Sequence, residues 1–224
     1  MGMIRAALLG AVVLLCALRH GGAQRYEAIY SFGDSISDTG NLCVGGCPSW
    51  LTTGQSPYGE TFFKRPTGRC SDGRVIIDFL AEHFGLPLPP ASKAGGDFKK
   101  GANMAIIGAT TMDFDFFKSI GLSDKIWNNG PLDTQIQWFR QLLPSACGKD
   151  CKRHLSKSLF VVGEFGGNDY NAALFSGRTM ADVRGYVPQV VSHIIRGLQV
   201  TNQSQFDRSH RLFSVVVGGE VAIV

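Results

Sequence analysis

The chain has 224 residues, of which 44% are hydrophobic, 18% charged and 10% aromatic, and its formal net charge at pH 7 is +4. This length accommodates one domain with a sizeable core or two small ones, and the composition excludes a disordered or collagen-like chain. A net charge this small argues neither for a nucleic acid nor for an acidic surface as the partner, and we expect no nucleic acid.

The N-terminus has the layout of a secretory signal peptide. Residues 1–5 form a short basic start, residues 6–18 are an unbroken apolar run of 13 residues, and small residues follow up to Ala23. A run this short does not span a bilayer as a helix, although a membrane anchor or a buried helix is the alternative. We therefore predict a signal peptide at 1–23 and a secreted, extracellular protein from Gln24, with no integral membrane segment after the signal is removed.

The predicted secretion leads us to expect disulfides, because these form in extracellular proteins. After the signal, five cysteines remain: Cys43, Cys47, Cys70, Cys147 and Cys151. The two closely spaced pairs, 43/47 and 147/151, could each close a small loop, but the sequence does not fix the pairing. An odd number leaves one thiol free or paired with sequence that this chain lacks.

Three short apolar runs, each followed by a glycine-containing turn, predict buried strands. They lie at 27–32 before Gly33, at 103–107 before Gly108, and at 159–162 before Gly163. Helical patterns lie at 75–84, at 132–143 with Pro144 as the stop, and at 187–198 with Pro188 in the first turn. Apolar strands that alternate with helices indicate a parallel sheet covered on both faces, in a three-layer α/β/α arrangement. Ligands of such sheets bind at the carboxyl ends of the strands, where these turns converge.

Three sequence blocks in these turns carry a family resemblance. They are residues 32–41 (FGDSISDTGN), 101–110 (GANMAIIGAT) and 163–170 (GEFGGNDY), and residues 65–74 (RPTGRCSDGR) add a fourth similar stretch. In this order they resemble the plant branch of the GDSL esterase/lipase family, in the SGNH hydrolase superfamily. The resemblance covers about residues 26–199 and implies a hydrolase domain at 24–199. We see no family resemblance in residues 200–224 and expect them to form a divergent tail, which contains the glycosylation sequon that begins at Asn202.

The resemblance implies roles for three residues. Ser35 would attack an ester carbonyl and form an acyl-enzyme, and the N–H groups of Ser35 and Gly108 and the side-chain amide of Asn168 would bind the oxyanion. The alternatives are a turn or cap hydroxyl, a glycine that ends a strand, and a turn asparagine. We expect three aspartates to hold the turns by accepting backbone N–H groups: Asp34, Asp38 and Asp169. We expect no cofactor and no metal, since no cluster has metal-ligand spacing.

The catalytic base is the element that the sequence does not supply. The family resemblance places it in a C-terminal Asp-x-x-His block, which we do not find, so we expect a C-terminally truncated chain with an incomplete sheet. Asp207 and His210 have the right spacing, but they precede the apolar run at 212–217 and would lie at the wrong end of a fourth strand. His83 and His193 lie on apolar helix faces and are expected to pack in the core.

Two classes of function remain. The first is a serine hydrolase acting on acyl lipids, acetylated polysaccharides or esters of phenolic or alkaloid alcohols, weak or inactive in this form. The second is a non-catalytic secreted binding protein, or a transcript product that does not fold. The chain would fold in the alternative case that residues 212–217 supply a replacement strand. The aromatic cluster at 112–117 could line an acyl pocket, but the core is its commoner place.

Overall fold

The fold is built on one five-stranded sheet with the strand order β2-β1-β3-β4-β5. A computed structural model describes residues 26–203, 213–217 and 220–223 of the chain. The strands are β1 Ala28–Phe32, β2 Gly101–Asn103, β3 Ser158–Phe165, β4 Phe213–Val217 and β5 Glu220–Ile223. The first four strands are parallel to one another, and β5 is antiparallel to β4. The predicted signal peptide lies outside the described residues.

Within the described residues, six α-helices cover the sheet or connect its strands. They are α1 Ile76–His83, α2 Phe114–Ser119, α3 Leu132–Cys147, α4 Cys151–Ser156, α5 Gly167–Phe175 and α6 Met180–Gln203. Short 3-10 turns lie at Asn41–Cys43, Thr52–Gly54, Ser92–Ala94 and Ser123–Lys125. Strands and helices therefore alternate along the chain up to β4, as the sequence predicts.

Side chains alternate across β1 into two separate cores, because successive residues of a strand point to opposite faces. Tyr30 and Phe32 pack into the larger core with residues of α3, α5 and α6. Ile29 packs on the other face, against Ile77 and Ala81 of α1. Every residue of β1 is buried. The predicted three-layer α/β/α fold with a parallel sheet is confirmed.

The second strand lies earlier than the sequence predicts. We expected it at 103–107, but β2 ends at Asn103, and residues 104–107 are buried loop. The Asn103 side chain ends the strand, since its Oδ1 accepts the N–H of Ala105 at 2.8 Å and its Nδ2 donates to the Ser37 carbonyl and to Thr39. The bond to Ala105 is local and competes with a strand ladder, and the other two tie Asn103 to the turn after β1. The apolar residues at 104–107 are therefore explained by the burial of this loop and not by a strand.

The buried face of α1 also differs from the apolar face on which the sequence analysis places His83. Ile77, Asp78 and Ala81 are buried, whereas Ile76 is 61% exposed. Asp78 turns inward because Arg69 binds both of its carboxylate oxygens at 2.8 Å. His83 consequently lies on the exposed side of the helix, so its prediction as a packed core histidine is wrong.

Both prolines that were expected to mark helix ends lie inside helices. Pro144 is in the last turn of α3, which continues to Cys147 because a proline there removes only one helical bond. Pro188 lies well inside α6. That helix begins earlier, where the Thr179 N–H and hydroxyl both donate to Asp182 and the Asp182 N–H donates back to the Thr179 hydroxyl. This capping pair was visible in the sequence.

The predicted fourth strand is present as β4, parallel to β3, with Phe213 beside Phe160. The sheet therefore does not stop at β3. Asp207 and His210 lie outside the described residues. Both close cysteine pairs, Cys43–Cys47 and Cys147–Cys151, are disulfide-bonded, and Cys70 is the free cysteine of the described chain.

Candidate functional site

A pocket of about 360 Å³ lies at the carboxyl ends of the strands. Ser35, Gly108 and Asn168 all line it, although they come from three separate turns: after β1, after β2 and in the first turn of α5. Its other walls include Ile107, Lys125, Ile126, Trp127, Ala172 and Phe175. The structure thus brings together all three residues that the sequence nominates, at the end of the sheet that it predicts.

The turn that carries Ser35 is pressed against the neighbouring strand. A Cβ atom on Gly33 would lie 2.6 Å from the carbonyl oxygen of Gly163 in β3, so a side chain there is excluded. On the far side of the turn, the Ser37 hydroxyl donates to the same carbonyl at 3.0 Å. Ser35 itself is partly exposed, between these two anchored positions.

The three site aspartates accept backbone N–H groups, as the sequence predicts. Asp38 is fully buried and accepts N–H groups from Gly40, Asn41 and, at a longer 3.4 Å, Leu42 within its own turn, and from Ile107 of the second block. Asp169 accepts those of Thr111 and Met112, at 2.7 and 2.9 Å. Asp34 accepts that of Ile36 at 3.0 Å. Asp38 thus ties the first block to the second, and Asp169 ties the third block to the two residues that follow the second.

Desolvation by burial raises the pKa of all three aspartates. For Asp34 the pKa rises to about 6, because burial is reinforced by the negative charges of Glu164 and Asp169 and only partly offset by the Ile36 N–H. A neutral-to-charged transition near pH 6 therefore takes place beside Ser35.

Two N–H groups in the pocket are free to bind a ligand. In the described part of the chain, neither the Ser35 N–H nor the Gly108 N–H has a hydrogen-bond acceptor. Asn168 donates from Nδ2 to the Ala109 carbonyl at 2.8 Å and makes a longer contact of 3.4 Å with Asp34 Oδ2. Unpaired N–H donors that line a pocket suit a negatively charged oxygen.

The apolar wall of the pocket is formed mainly by Trp127. A Cβ on Gly108 would lie 2.4 Å from the indole of Trp127, so the ring packs directly on this glycine. Trp127 also meets Trp50 edge to face, with ring centroids 4.7 Å apart, and both rings are about half exposed. The cluster at 112–117 is elsewhere: Met112 and Phe117 are buried in the larger core and do not line the pocket.

Gln135 of α3 is a residue of the site that the sequence analysis missed. It is completely buried, and its amide makes hydrogen bonds to both the N–H and the carbonyl of Gly33. The available signal was its position on the apolar face of the helix, in the register of Leu132, Ile136 and Phe139. A glutamine that faces a core must find buried partners.

No histidine among the described residues lines the pocket. His154 bonds the Tyr30 hydroxyl at 3.0 Å and lines a different cavity with Glu27 and Lys100, near the amino ends of β1 and β2. His193 lies 3.1 Å from Asp133. In the same described ranges, no three acidic, histidine or cysteine side chains cluster as metal ligands would.

Comparison with known proteins identifies the family of the chain. The sequence profile of the GDSL-like lipase/acylhydrolase family matches residues 29–217, from the second residue of β1 to the end of β4. The chain belongs to this family. The resemblance found in the turn sequences is therefore confirmed.

Three plant members of the family illustrate the similarity. GDSL esterase/lipase At5g45910 of Arabidopsis thaliana is 49% identical over 76% of this chain and 48% of its own length. For GDSL esterase/lipase At1g28590 of the same plant the values are 44%, 76% and 43%. Sinapine esterase of Brassica napus is 40% identical over 81% of this chain and 48% of its own length. The chain thus spans about half the length of these curated relatives. Within the described ranges, no helix combines the length and apolar character that a membrane crossing needs.

Proposed function

We propose that this chain carries the nucleophile and oxyanion-binding groups of a carboxylic ester hydrolase. The observation that supports this most is the meeting of Ser35, Gly108 and Asn168 in one pocket, with two backbone N–H groups unpaired among the described residues. A turn hydroxyl, a strand-ending glycine and a turn asparagine with purely structural roles have no reason to share a cavity.

In the proposed reaction the Ser35 Oγ forms a bond to the ester carbonyl carbon and gives its proton to a base. The carbonyl oxygen becomes an oxyanion, which the Ser35 and Gly108 N–H groups and the Asn168 amide bind. The carbon–oxygen bond to the alcohol then breaks, and the alcohol leaves with that proton. Water hydrolyses the acyl-enzyme, which releases the acid and restores Ser35.

The pocket favours an ester with a small or flat apolar group. About 360 Å³ is near the lower end of the range for ligand pockets, and Trp127, Ile126 and Phe175 make its walls apolar. A short acyl chain or one ring fills such a space, whereas a long acyl chain extends into solvent. One relative, 40% identical over 187 residues, is named sinapine esterase. A choline ester of an aromatic acid is therefore a suitable test substrate.

We further propose that this chain turns over slowly and is secreted. Slow turnover is supported by the lack of a histidine among the described residues of the pocket, because general-base assistance is worth about 10²-fold to 10⁴-fold. The residual rate comes from the oxyanion site and substrate binding. Secretion is supported by two disulfides, which persist in oxidising compartments, and by the layout of residues 1–23.

The test is ester hydrolysis by the full chain expressed through a secretory pathway. We expect slow hydrolysis of p-nitrophenyl butyrate that Ser35→Ala abolishes and that Ser49→Ala, an exposed serine elsewhere, leaves unchanged. Equal rates in wild type and Ser35→Ala would contradict the nucleophile assignment. His210→Ala belongs in the same assay: we expect no effect, and a loss comparable to Ser35→Ala would identify His210 as the base.

A further inference from the structure

We infer that Gln135 is a positioning residue, which fixes the turn that carries Ser35 by holding both polar groups of Gly33. The inference rests on the proposed function of Ser35. It assigns to α3, a helix outside the three sequence blocks, a role in the geometry of the site.

The contact is a two-point clamp on one residue of the backbone. Gln135 Oε1 accepts the Gly33 N–H at 2.9 Å, and Gln135 Nε2 donates to the Gly33 carbonyl at 2.8 Å. The second Nε2 hydrogen goes to the Gly130 carbonyl at 3.0 Å. A primary amide has one acceptor oxygen and two donor hydrogens, so this side chain is fully paired, and it is completely buried.

Gly33 needs such a partner because β1 ends immediately before it. Phe32 is the last residue of β1 to pair with β3, and the Gly33 carbonyl receives one further backbone bond, from the Ile106 N–H at 3.2 Å. Within the described residues, Gln135 is the partner of the Gly33 N–H. Without the amide, this buried N–H would have no acceptor.

The clamp lies two residues before the nucleophile, and a second set of bonds lies two and three residues after it. Ser37 donates to the Gly163 carbonyl, and Asp38 accepts N–H groups across the loops. Ser35 is therefore held from both sides, and its Oγ and N–H must be placed together for attack and oxyanion binding. Misplacement by about 1 Å can cost about 10²-fold in rate, so the Gly33 anchor acts on the reaction by positioning Ser35.

The first experiment compares Gln135→Met with Gln137→Met in the full chain. Both replace a glutamine of α3 by an apolar side chain of similar length, but Gln137 is exposed. Below the unfolding temperature of either variant, we expect amide hydrogen exchange in residues 33–37 to be at least about tenfold faster in Gln135→Met. We also expect the rate at which a fluorophosphonate labels Ser35 to fall at least about tenfold, with the KM for p-nitrophenyl butyrate within about threefold of wild type.

The second experiment uses Gln135→Glu, which separates positioning from bulk stability. A protonated glutamic acid can donate to one Gly33 group and accept from the other, as the amide does, whereas the carboxylate would face the Gly33 and Gly130 carbonyls. The labelling rate of Gln135→Glu divided by that of wild type should therefore rise as the pH is lowered, with the fold monitored by near-UV circular dichroism. The division removes the titration of Asp34, which both proteins share.

The outcomes separate this inference from the proposed function. Wild type that is labelled at Ser35, together with equal exchange and labelling in the two methionine variants, overturns the role of Gln135 alone. The role of Gln135 is also overturned if the labelling rate of folded Gln135→Glu, divided by that of wild type, does not change with pH. Wild type that is not labelled at Ser35 overturns the proposed function and the positioning role together. If Gln135→Met does not fold, the inference is tested by the pH dependence of the labelling rate of Gln135→Glu relative to wild type.

Discussion

The side-chain amide of Asn168, which lines the pocket, lies beside the buried carboxylate of Asp34, with Nδ2 and Oδ2 3.4 Å apart. The same Nδ2 donates to the Ala109 carbonyl at 2.8 Å, so one of its hydrogens is well bonded and the other is held weakly. That second hydrogen is available to an oxyanion at little cost. This relationship suggests a donor oriented by its neighbours and ready for the transition state.

Asn168→Ala should lower kcat about 10²-fold to 10³-fold and leave KM within a few-fold, because in the proposed reaction the amide bonds mainly the transition state. A fluorogenic ester gives the sensitivity that slow turnover requires. Asn171→Ala is the matched control, since Asn171 lies one turn further along α5 and lines the same pocket. An effect confined to KM would make Asn168 a substrate-binding residue instead.

Asp34→Asn should remove a pH dependence of stability. Because the pKa of Asp34 is raised to about 6, the folded chain binds more protons at this site than the unfolded chain between about pH 4 and pH 6. Its contribution to the free energy of unfolding is present below this window and is lost as the pH rises through 6, by up to about 3 kcal/mol.

Denaturant unfolding of both proteins from pH 4 to pH 7 measures this contribution as the difference between them. Asp115→Asn, at an exposed aspartate of α2, is the control and should follow wild type. A difference between wild type and Asp34→Asn that does not change with pH would show that the carboxyl titrates normally.

Trp127→Ala should raise KM about tenfold for butyrate and aromatic esters and much less for acetate, since the indole forms the apolar wall beside Gly108. Trp50→Ala removes the ring that meets Trp127 but is not part of the pocket lining, so it should have the smaller effect. If both variants lose activity on all esters equally, Trp127 has no role in selecting the substrate.

Arg69→Met should destabilise the chain by about 3–5 kcal/mol, because it leaves the Asp78 carboxylate buried without its partner. Arg153→Met, in a pair that is 69% exposed on both sides, should change stability by less than about 1 kcal/mol. The double variant Arg69→Met/Asp78→Leu should recover much of the loss. Equal costs for the two single variants would mean that the buried pair contributes no more than a surface pair.

The parts of the fold that the sequence predicts are those with a local signal. The run before Gly33 and the one before Gly163 are short and apolar, and both are strands, although β3 continues through Gly163 to Phe165 and so passes the predicted turn. The run at 103–107 has the same local signal but is loop, because Asn103 bonds to residues more than 60 positions away. A sequence pattern contains no information about such partners.

The same distinction holds at the site. The three blocks nominate Ser35, Gly108 and Asn168 by resemblance, and the structure places them in one pocket, while their catalytic roles stay predictions. Gln135 bonds Gly33 across 102 positions, and its only local trace is a polar residue on an apolar helix face. His83 shows the converse error. The apolar pattern of its helix predicts a core position, but the Arg69–Asp78 pair determines which face of α1 is buried, and His83 is exposed.

The most direct test of the account is the site of covalent modification by a fluorophosphonate. The full chain is incubated with the probe, and the adduct is counted by intact mass and located by peptide mapping. We predict one adduct per chain, on Ser35, and none on Ser35→Ala under the same conditions. Modification at another residue, or equal modification of Ser35→Ala, would contradict the assignment of Ser35 as the nucleophile.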